Sequence, residues 1–200
     1  MNVFEINNST LTKVNEYYYI IDNFYKYPNE VNNFFKQNAP YVHKWIEINS
    51  KNCKDFLDLR HYLFNLNFIK TEKKIYEIFN RNTEHAKGMI MTNFTKFNNI
   101  KDNYKYNYWW PHSDPGAFTC LIYLNNPSCD GTNIYERLEE NQGTEHSNPW
   151  QDKKKFNLIT NIPSKYNRLI AFKSSMCHGL AYNNHQFKNN FRKNQVIFVR

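Results

Sequence analysis

From residue 88 onward, the chain is a series of short apolar segments separated by turn residues. The segments are rich in β-branched and aromatic residues and read GMIMTNFTKF, YKYNYWW, FTCLIYL, TNIY, RLIAF and QVIFV. Strand-length segments of this kind, bounded by Asn, Asp, Gly and Pro, are typical of an antiparallel sandwich or barrel. The sequence therefore predicts a β-rich core in this part of the chain.

The chain before this region has a different pattern, which predicts mainly helices. YYYIID, residues 17–22, is predicted as a strand, and PNEVNNFFKQ, beginning at Pro28, as a helix, because proline suits the first helical turn. A broad apolar stripe predicts a second helix over 54–68. TEKKIYEIFNR, 71–81, is predicted as a third helix that Thr71 caps.

The length of 200 residues suits one domain. We expect a single α+β domain over 1–200, in which 1–85 form a helical support region and 86–200 the β-rich core. Residues 136–157 form a polar insert in that core without helical or strand periodicity, and such long loops are often lids or plain inserts. As a lid, the insert would use Trp150 as its anchor and turn Lys153–Lys155 toward an acidic partner.

The composition restricts the partners and the compartment. The net charge is +8, but the basic residues are spread along the chain, which favours a charged surface while leaving a nucleic-acid partner open. No apolar run approaches the roughly 20 residues that span a bilayer, and the first residues lack a signal-peptide layout, so we expect a soluble cytoplasmic protein without a membrane partner. The four cysteines are scattered, which predicts reduced thiols and no structural zinc site: Cys53, Cys120, Cys129 and Cys177.

A histidine and an aspartate stand one residue apart in WWPHSDPGAFTCLIYLNN, residues 109–126. Side chains at positions i and i+2 of a strand point the same way, so His112 and Asp114 can address one point in space. Burying such groups is costly unless they are paired or bind a metal. His178 follows another predicted strand and is the expected third partner. Together these residues form the two-histidine, one-carboxylate set that leaves open positions on non-haem Fe(II).

Arg192 begins the last predicted strand. Its planar guanidinium suits a two-pronged contact with a carboxylate, so it is the predicted contact for a dicarboxylic cosubstrate. Lys193 should face the opposite side of the strand and is the weaker candidate.

These motifs resemble the Fe(II)- and 2-oxoglutarate-dependent dioxygenase superfamily, in particular its prolyl-hydroxylase-like and small phage-type members. The matching segments span most of the chain: YYYIIDNFYKYPNEV, HSD, LIYLNN, DGTNIY, NRLIAFKSSMCHG and FRKNQVIFV. The chain departs from the family pattern at Asp130, where glycine is commoner, and in the longer separation of Arg192 from His178.

The resemblance implies a double-stranded β-helix, or jelly roll, with an N-terminal helical layer packed on its major sheet. It implies Fe(II) as the metal at the open end of the barrel and 2-oxoglutarate as the cosubstrate. The distal carboxylate of 2-oxoglutarate would lie on Arg192, with Tyr104 and Tyr106 of a preceding strand as further contacts.

The resemblance also implies an oxidoreductase that consumes molecular oxygen, converts 2-oxoglutarate to succinate and hydroxylates a peptide, protein or small molecule. If the chain is viral, the compartment would be the host cytoplasm. Halogenating relatives leave the carboxylate position vacant, so Asp114 favours hydroxylation or a related oxidation.

Two alternatives stay open. One is a nucleic-acid substrate, as in alkylated-base repair, which the charge favours, although Arg192 and Arg200 stand farther apart than the arginines of that pattern. The other is a jelly roll that binds a metal without catalysis. The sequence predicts neither the substrate nor the oligomeric state.

Overall fold

The structure is a computed structural model that describes residues 2–8, 10–37, 42–44, 56–97, 106–107, 111–125, 131–138, 151–152, 155–181 and 191–200. Within these residues the α-helices are α1 (Pro28–Gln37) and α2 (Leu66–Ile78). The strands are β1 (Thr12–Lys13), β2 (Tyr18–Ile21), β3 (Val42–Lys44), β4 (Phe56–Phe64), β5 (Met89–Phe97), β6 (Tyr106–Asn107), β7 (Phe118–Tyr123), β8 (Thr132–Arg137), β9 (Gln151–Asp152), β10 (Phe156–Ile162), β11 (Leu169–Lys173), β12 (Cys177–Leu180) and β13 (Arg192–Val199).

The strands form two facing sheets and one short ribbon. The large sheet has eight strands in the order β1-β2-β11-β7-β13-β5-β4-β3, and the small sheet has three in the order β10-β8-β12. The ribbon pairs β6 with β9. Every pairing is antiparallel. This sheet-rich, antiparallel arrangement fits a jelly-roll-like fold.

The large sheet contributes side chains to two separate cores. Alternation along β7 sends Cys120 and Ile122 into a cluster that contains the buried side chains of both helices. The intervening Leu121 and Tyr123 enter a second cluster, which they share with Ile134 of the small sheet. The large sheet therefore packs against the helices on one face and against the small sheet on the other, which we call its inner face.

The predicted strand at 17–22 and the helix at Pro28 are confirmed, as β2 and α1. The prediction of a helix over 54–68 is wrong, because β4 occupies 56–64 and pairs with β5 along its whole length. Pairing with a distant strand outweighs a local apolar period that a helix would also satisfy.

The third predicted helix exists but begins earlier than expected. α2 starts at Leu66, where the side-chain oxygen of Asn65 accepts hydrogen bonds from the backbone N–H groups of Asn67 and Phe68. Thr71 lies inside this helix and donates to the carbonyl of Phe4, so its assignment as the cap was wrong.

Two further expectations change in detail. Residues 1–85, expected as a helical region, also supply β1 to β4 of the large sheet. The insert 136–157 overlaps the end of β8 and the start of β10, a strand that sequence analysis missed. Trp150, Lys153 and Lys154 lie outside the described residues.

Two other sequence expectations can be compared with the described part of the chain. Cys120 and Cys177 are free and buried, whereas Cys53 and Cys129 lie outside the described residues. No helix among the described residues is long and apolar enough to cross a membrane.

Candidate metal and cosubstrate site

His112 and His178 face each other across a pair of antiparallel backbone hydrogen bonds. The N–H of His112 donates to the carbonyl of His178 at 2.9 Å, and the N–H of His178 donates back at 2.8 Å. Directly opposed residues place their side chains on the same face, and the two imidazole rings are 4.4 Å apart between centroids. The backbone pairing thus brings together two histidines that are far apart in sequence.

The carboxylate of Asp114 lies against both imidazoles. Its Oδ1 is 3.4 Å from Nε2 of His112, and its Oδ2 is 3.1 Å from Nε2 of His178. One ligand atom from each of the three residues lies within 4.8 Å of the others. The side chains are 22%, 9% and 5% exposed for His112, Asp114 and His178, so the cluster opens toward solvent on the His112 side.

Hydrogen bonds from β7 and from the turn after β11 fix the position of Asp114. Its backbone N–H donates to the carbonyl of Ser174 at 2.8 Å. Thr119, on β7, donates its hydroxyl to Oδ2 of Asp114 at 2.9 Å, and this hydroxyl also lies 3.0 Å from that of Ser174. Hydrogen bonds of this kind orient a metal ligand and raise the affinity of the site for the metal.

His178 is held in one orientation by its second ring nitrogen. Nδ1 lies 3.0 Å from the carbonyl of Met176, which can only accept, so Nδ1 carries the proton in the neutral ring. The lone pair on Nε2 then faces Oδ2 of Asp114, another acceptor, at 3.1 Å. A cation between these two acceptors removes their repulsion, so the donor set fits a divalent metal.

The electrostatics favour the ligating forms of these groups. Burial opposes ionisation of the Asp114 carboxyl, but the adjacent imidazoles of His112 and His178 outweigh it and hold the pKa of this carboxyl below its ordinary value. Burial and the neighbouring His112 lower the pKa of His178, against the opposite effect of Asp114. A carboxylate anion and a neutral imidazole are the forms that coordinate a metal.

Arg192 is buried between the two sheets, with 6% of its surface exposed. Its Nη1 donates to Oδ1 of Asn194 at 2.6 Å, and its Nη2 donates to the carbonyl of Gly131 at 3.3 Å and to the hydroxyl of Thr132 at 3.5 Å. The guanidinium also lies over the ring of Tyr123, 5.5 Å from its centroid. These contacts hold a positive charge inside the sandwich.

Gly131 is required where it stands, because a Cβ at this position would collide with the carbonyl of Ile162 on the neighbouring chain segment. The close approach of the two backbones leaves the Gly131 carbonyl directed at Arg192.

The register of the small sheet relates Arg192 to the metal ligands. Ile134 of β8 lies opposite His178, and Thr132, which Arg192 contacts, lies two residues farther along the same strand. Two residues span about 7 Å of strand, and residues two apart share a face. The guanidinium of Arg192 therefore contacts β8 about 7 Å along the strand from the residue opposite His178.

Tyr123 and Thr132 are site residues that sequence reasoning missed. Their hydroxyl oxygens are 2.8 Å apart, beside the guanidinium of Arg192. In the structure, Tyr123 shares the inner face with Leu121, two residues earlier on β7. The continuous apolar segment FTCLIYL does not reveal in the sequence which of its residues face inward.

The other predicted contacts have different outcomes. Lys193 faces the helical side and lines a small cavity with Asn32 and Lys36 of α1, so the predicted opposition of Lys193 and Arg192 is confirmed. Tyr104 lies outside the described residues, as does Asp130. Tyr106 belongs to β6, whose backbone pairs with β9.

Comparisons with known proteins bear on the fold. No protein-family model matches the chain, and no curated protein matches it. Among solved structures, a protein from Shewanella oneidensis, provisionally described as an oxygenase, aligns with 100% of this chain and 84% of its own at 10% identity and a TM-score of 0.50.

Two other solved structures align at a TM-score of 0.40. One is an oxidoreductase of the 2OG-Fe(II) oxygenase family from Burkholderia pseudomallei, at 11% identity over 84% of this chain and 75% of that chain. The other is a prolyl-4-hydroxylase from Pseudomonas putida, at 8% identity over 86% of this chain and 85% of that chain. The chain therefore shares its overall fold with the Shewanella oneidensis protein, and within that fold it carries the His112, Asp114 and His178 cluster.

Proposed function

We propose that the protein is an Fe(II)- and 2-oxoglutarate-dependent dioxygenase. The observation that carries this proposal is the convergence of one ligand atom each from His112, Asp114 and His178 within 4.8 Å of one another. Two histidines and one carboxylate with open positions are the ligand set of non-haem Fe(II) oxygenases. The fold likeness and the sequence motifs point to the same class.

His112, Asp114 and His178 would hold the iron. When bound, Fe(II) and 2-oxoglutarate supply an oxidant that uses molecular oxygen to oxidise a substrate C–H bond, while 2-oxoglutarate becomes succinate and carbon dioxide. Asp114 contributes the single negative charge of the ligand set. Thr119 and the Met176 carbonyl keep Asp114 and His178 in their ligating orientations.

Arg192 would bind the distal carboxylate of 2-oxoglutarate. Its guanidinium is buried, so a charged contact there is poorly screened by solvent. Asn194 orients the guanidinium, and the paired hydroxyls of Tyr123 and Thr132 offer a further donor beside it. Tyr104 and Tyr106 remain proposed contacts from the preceding strand.

We assign residues 1–200 to one oxygenase domain with the topology of a double-stranded β-helix. In this assignment the large sheet is the major sheet, and α1 and α2 form its supporting layer. Residues 136–157 would be the polar insert of this domain, with their two ends in β8 and β10. The enzyme would act in the cytoplasm on a peptide, protein or small molecule, with hydroxylation as the expected oxidation.

The proposal is tested by turnover without a known substrate. The purified protein, supplied with Fe(II), ascorbate, oxygen and 2-oxoglutarate, should form succinate slowly, and the rate should depend on iron and oxygen. His178→Ala should abolish this turnover. Iron-dependent succinate formation by His178→Ala equal to that of the wild type would reject the proposed centre.

A further inference from the structure

The turn that follows β11 contacts two of the three proposed metal ligands. Residues 174–176 connect β11 to β12. The carbonyl of Ser174 accepts the backbone N–H of Asp114 at 2.8 Å, and the carbonyl of Met176 lies 3.0 Å from Nδ1 of His178. The turn therefore helps to place a carboxylate and an imidazole in the same cluster.

Backbone hydrogen bonds hold this turn without the side chain of Ser174. The N–H of Ser174 donates to the carbonyl of Ala117 at 3.0 Å, and the N–H of Met176 donates to the carbonyl of Lys173 at 2.9 Å. Ser174 is fully buried, whereas Ser175 beside it is exposed. A change limited to the Ser174 hydroxyl should therefore leave the course of the backbone intact.

The hydroxyl of Ser174 belongs to a short series of hydrogen bonds that ends at Asp114. Its Oγ lies 3.0 Å from Oγ1 of Thr119, and the same Oγ1 lies 2.9 Å from Oδ2 of Asp114. Ser174 and Thr119 are both fully buried, so bulk solvent does not compete for these hydrogen bonds.

The direction of this series follows from the hydrogens that each group carries. An ionised carboxylate only accepts, so the single hydrogen of the Thr119 hydroxyl is directed at Asp114. Thr119 then has no hydrogen left for Ser174 and can only accept from it. The hydrogen in the contact between the two hydroxyls is therefore that of Ser174.

Donation by Ser174 strengthens the hydrogen bond from Thr119 to Asp114. Consecutive hydrogen bonds polarise one another, and each is electrostatically stronger in a buried site than in water. Donation by Ser174 also excludes the alternative in which Thr119 donates to Ser174 and leaves Oδ2 of Asp114 without this donor. The orientation of the carboxylate thus depends on a residue that does not touch it with its side chain.

We infer that Ser174 is a positioning residue of the metal site, which acts through Thr119 to hold the carboxylate of Asp114 in its ligating orientation. The inference rests on the proposed function in taking Asp114 as a metal ligand. Sequence analysis did not select Ser174, because serine is common in turns and its link to Asp114 passes through β7.

A double-mutant cycle tests whether Ser174 acts through Thr119. Co(II), whose visible absorption reports on its ligands, is titrated as a substitute for Fe(II) into the full-length protein without 2-oxoglutarate. Ser174→Ala should weaken Co(II) binding about threefold, and Thr119→Val about tenfold. The double variant should bind Co(II) as Thr119→Val alone does, because the series of hydrogen bonds is already broken.

Matched variants separate this role from general effects. Ser175→Ala removes an exposed hydroxyl from the same turn and should leave the Co(II) affinity and spectrum unchanged. Thr119→Ser keeps the hydroxyl and should stay close to the wild-type affinity. The spectrum of bound Co(II) should shift in Ser174→Ala in the same direction as in Thr119→Val, since both changes loosen the same carboxylate. Urea titration of the metal-free protein checks that each variant is folded.

Three results overturn the inference. These are wild-type Co(II) affinity in Ser174→Ala, equal losses in Ser174→Ala and Ser175→Ala, and additive losses in the double variant, which would mean that Ser174 supports the site by another route. If Ser174→Ala does not fold, Ser174→Cys replaces it with the same expected direction, because a thiol is a weaker donor than a hydroxyl.

Failure of this inference is distinguishable from failure of the proposed function. A wild-type protein that binds no Co(II) would overturn both. Co(II) binding that weakens in Thr119→Val but not in Ser174→Ala would reject only the role of Ser174. The expected cycle in a protein that forms no succinate would support the role of Ser174 at a metal site and reject the dioxygenase.

Discussion

Thr119 and Thr92 are both fully buried threonines of the large sheet, but they face opposite sides of it. Thr119 donates to Asp114 on the inner side. Thr92 neighbours Gln195 on β13, and its hydroxyl has no hydrogen-bond partner among the described residues. The hydroxyl of Thr119 therefore positions Asp114, whereas the hydroxyl of Thr92 is buried at a cost in stability.

Replacing each threonine by valine should separate these roles. Thr119→Val removes a hydrogen bond to Asp114, a proposed metal ligand, so Fe(II) should bind about tenfold more weakly in an anaerobic titration. Thr92→Val removes a buried hydroxyl, so the free energy of unfolding should stay constant or rise by about 1 kcal/mol in urea denaturation. Equal metal affinities in the two variants would contradict the role given to Thr119.

Arg192 and Lys193, which are adjacent in sequence, form a second pair whose replacements should differ in effect. Arg192→Ala should weaken 2-oxoglutarate binding at least a hundredfold by calorimetry with Fe(II) under anaerobic conditions, because removing one partner of a buried charge pair costs about 3–5 kcal/mol. Arg192→Lys should recover part of the loss, since the charge remains but the fork does not.

Lys193→Ala is the control for this experiment, because Lys193 faces α1. A normal affinity in Arg192→Ala together with a large loss in Lys193→Ala would show that the cosubstrate lies on the other side of the sheet.

At the scale of elements, Glu72 joins α2 to the segment that leads into β5. Its Oε2 accepts the backbone N–H groups of Lys87 at 2.8 Å and Gly88 at 2.7 Å. Glu72→Ala leaves both donors without this acceptor and should lower the free energy of unfolding by about 2 kcal/mol. Glu77→Ala, an exposed change on the same helix, should have little effect in the same urea titration.

The same residue makes stability depend on pH. Burial raises the pKa of Glu72, against the hydrogen bonds from Gly88 and Lys87. The folded chain then binds more protons than the unfolded chain above pH of about 4, so this contribution to stability falls as pH rises through that range. Urea titrations should show this decline in the wild type relative to Glu72→Gln. A difference that is constant or rises with pH would contradict the direction given for Glu72.

The boundary between β4 and α2 shows what sequence reasoning can reach at this scale. The apolar positions over 54–68 satisfy a helical stripe, but β5 lies alongside them in the fold and pairs with them as a strand. Asn65 was the local signal that a helix begins at Leu66, since its side chain caps the first turn. Over a segment this short, the same apolar positions satisfy both the helical and the strand period. Pairing with β5, which is distant in sequence, decides between them.

At the scale of the whole molecule, sequence spacing and strand context predict the His112, Asp114 and His178 cluster but not its surroundings. The sequence predicts His112 and Asp114 together because residues two positions apart share one strand face. Tyr123 and Asn194 come together beside Arg192 only through the register of β7 and β13. That register depends on pairings between distant segments, which the sequence pattern does not specify.

Anaerobic Fe(II) binding tests the three proposed metal ligands most directly. The wild-type protein should bind one Fe(II) per chain, and 2-oxoglutarate should then bind with an affinity that depends on the iron. Asp114→Ala removes the only anionic ligand and should reduce Fe(II) binding below detection, with His112→Ala and His178→Ala close behind. One Fe(II) per chain at wild-type affinity in Asp114→Ala would contradict the account.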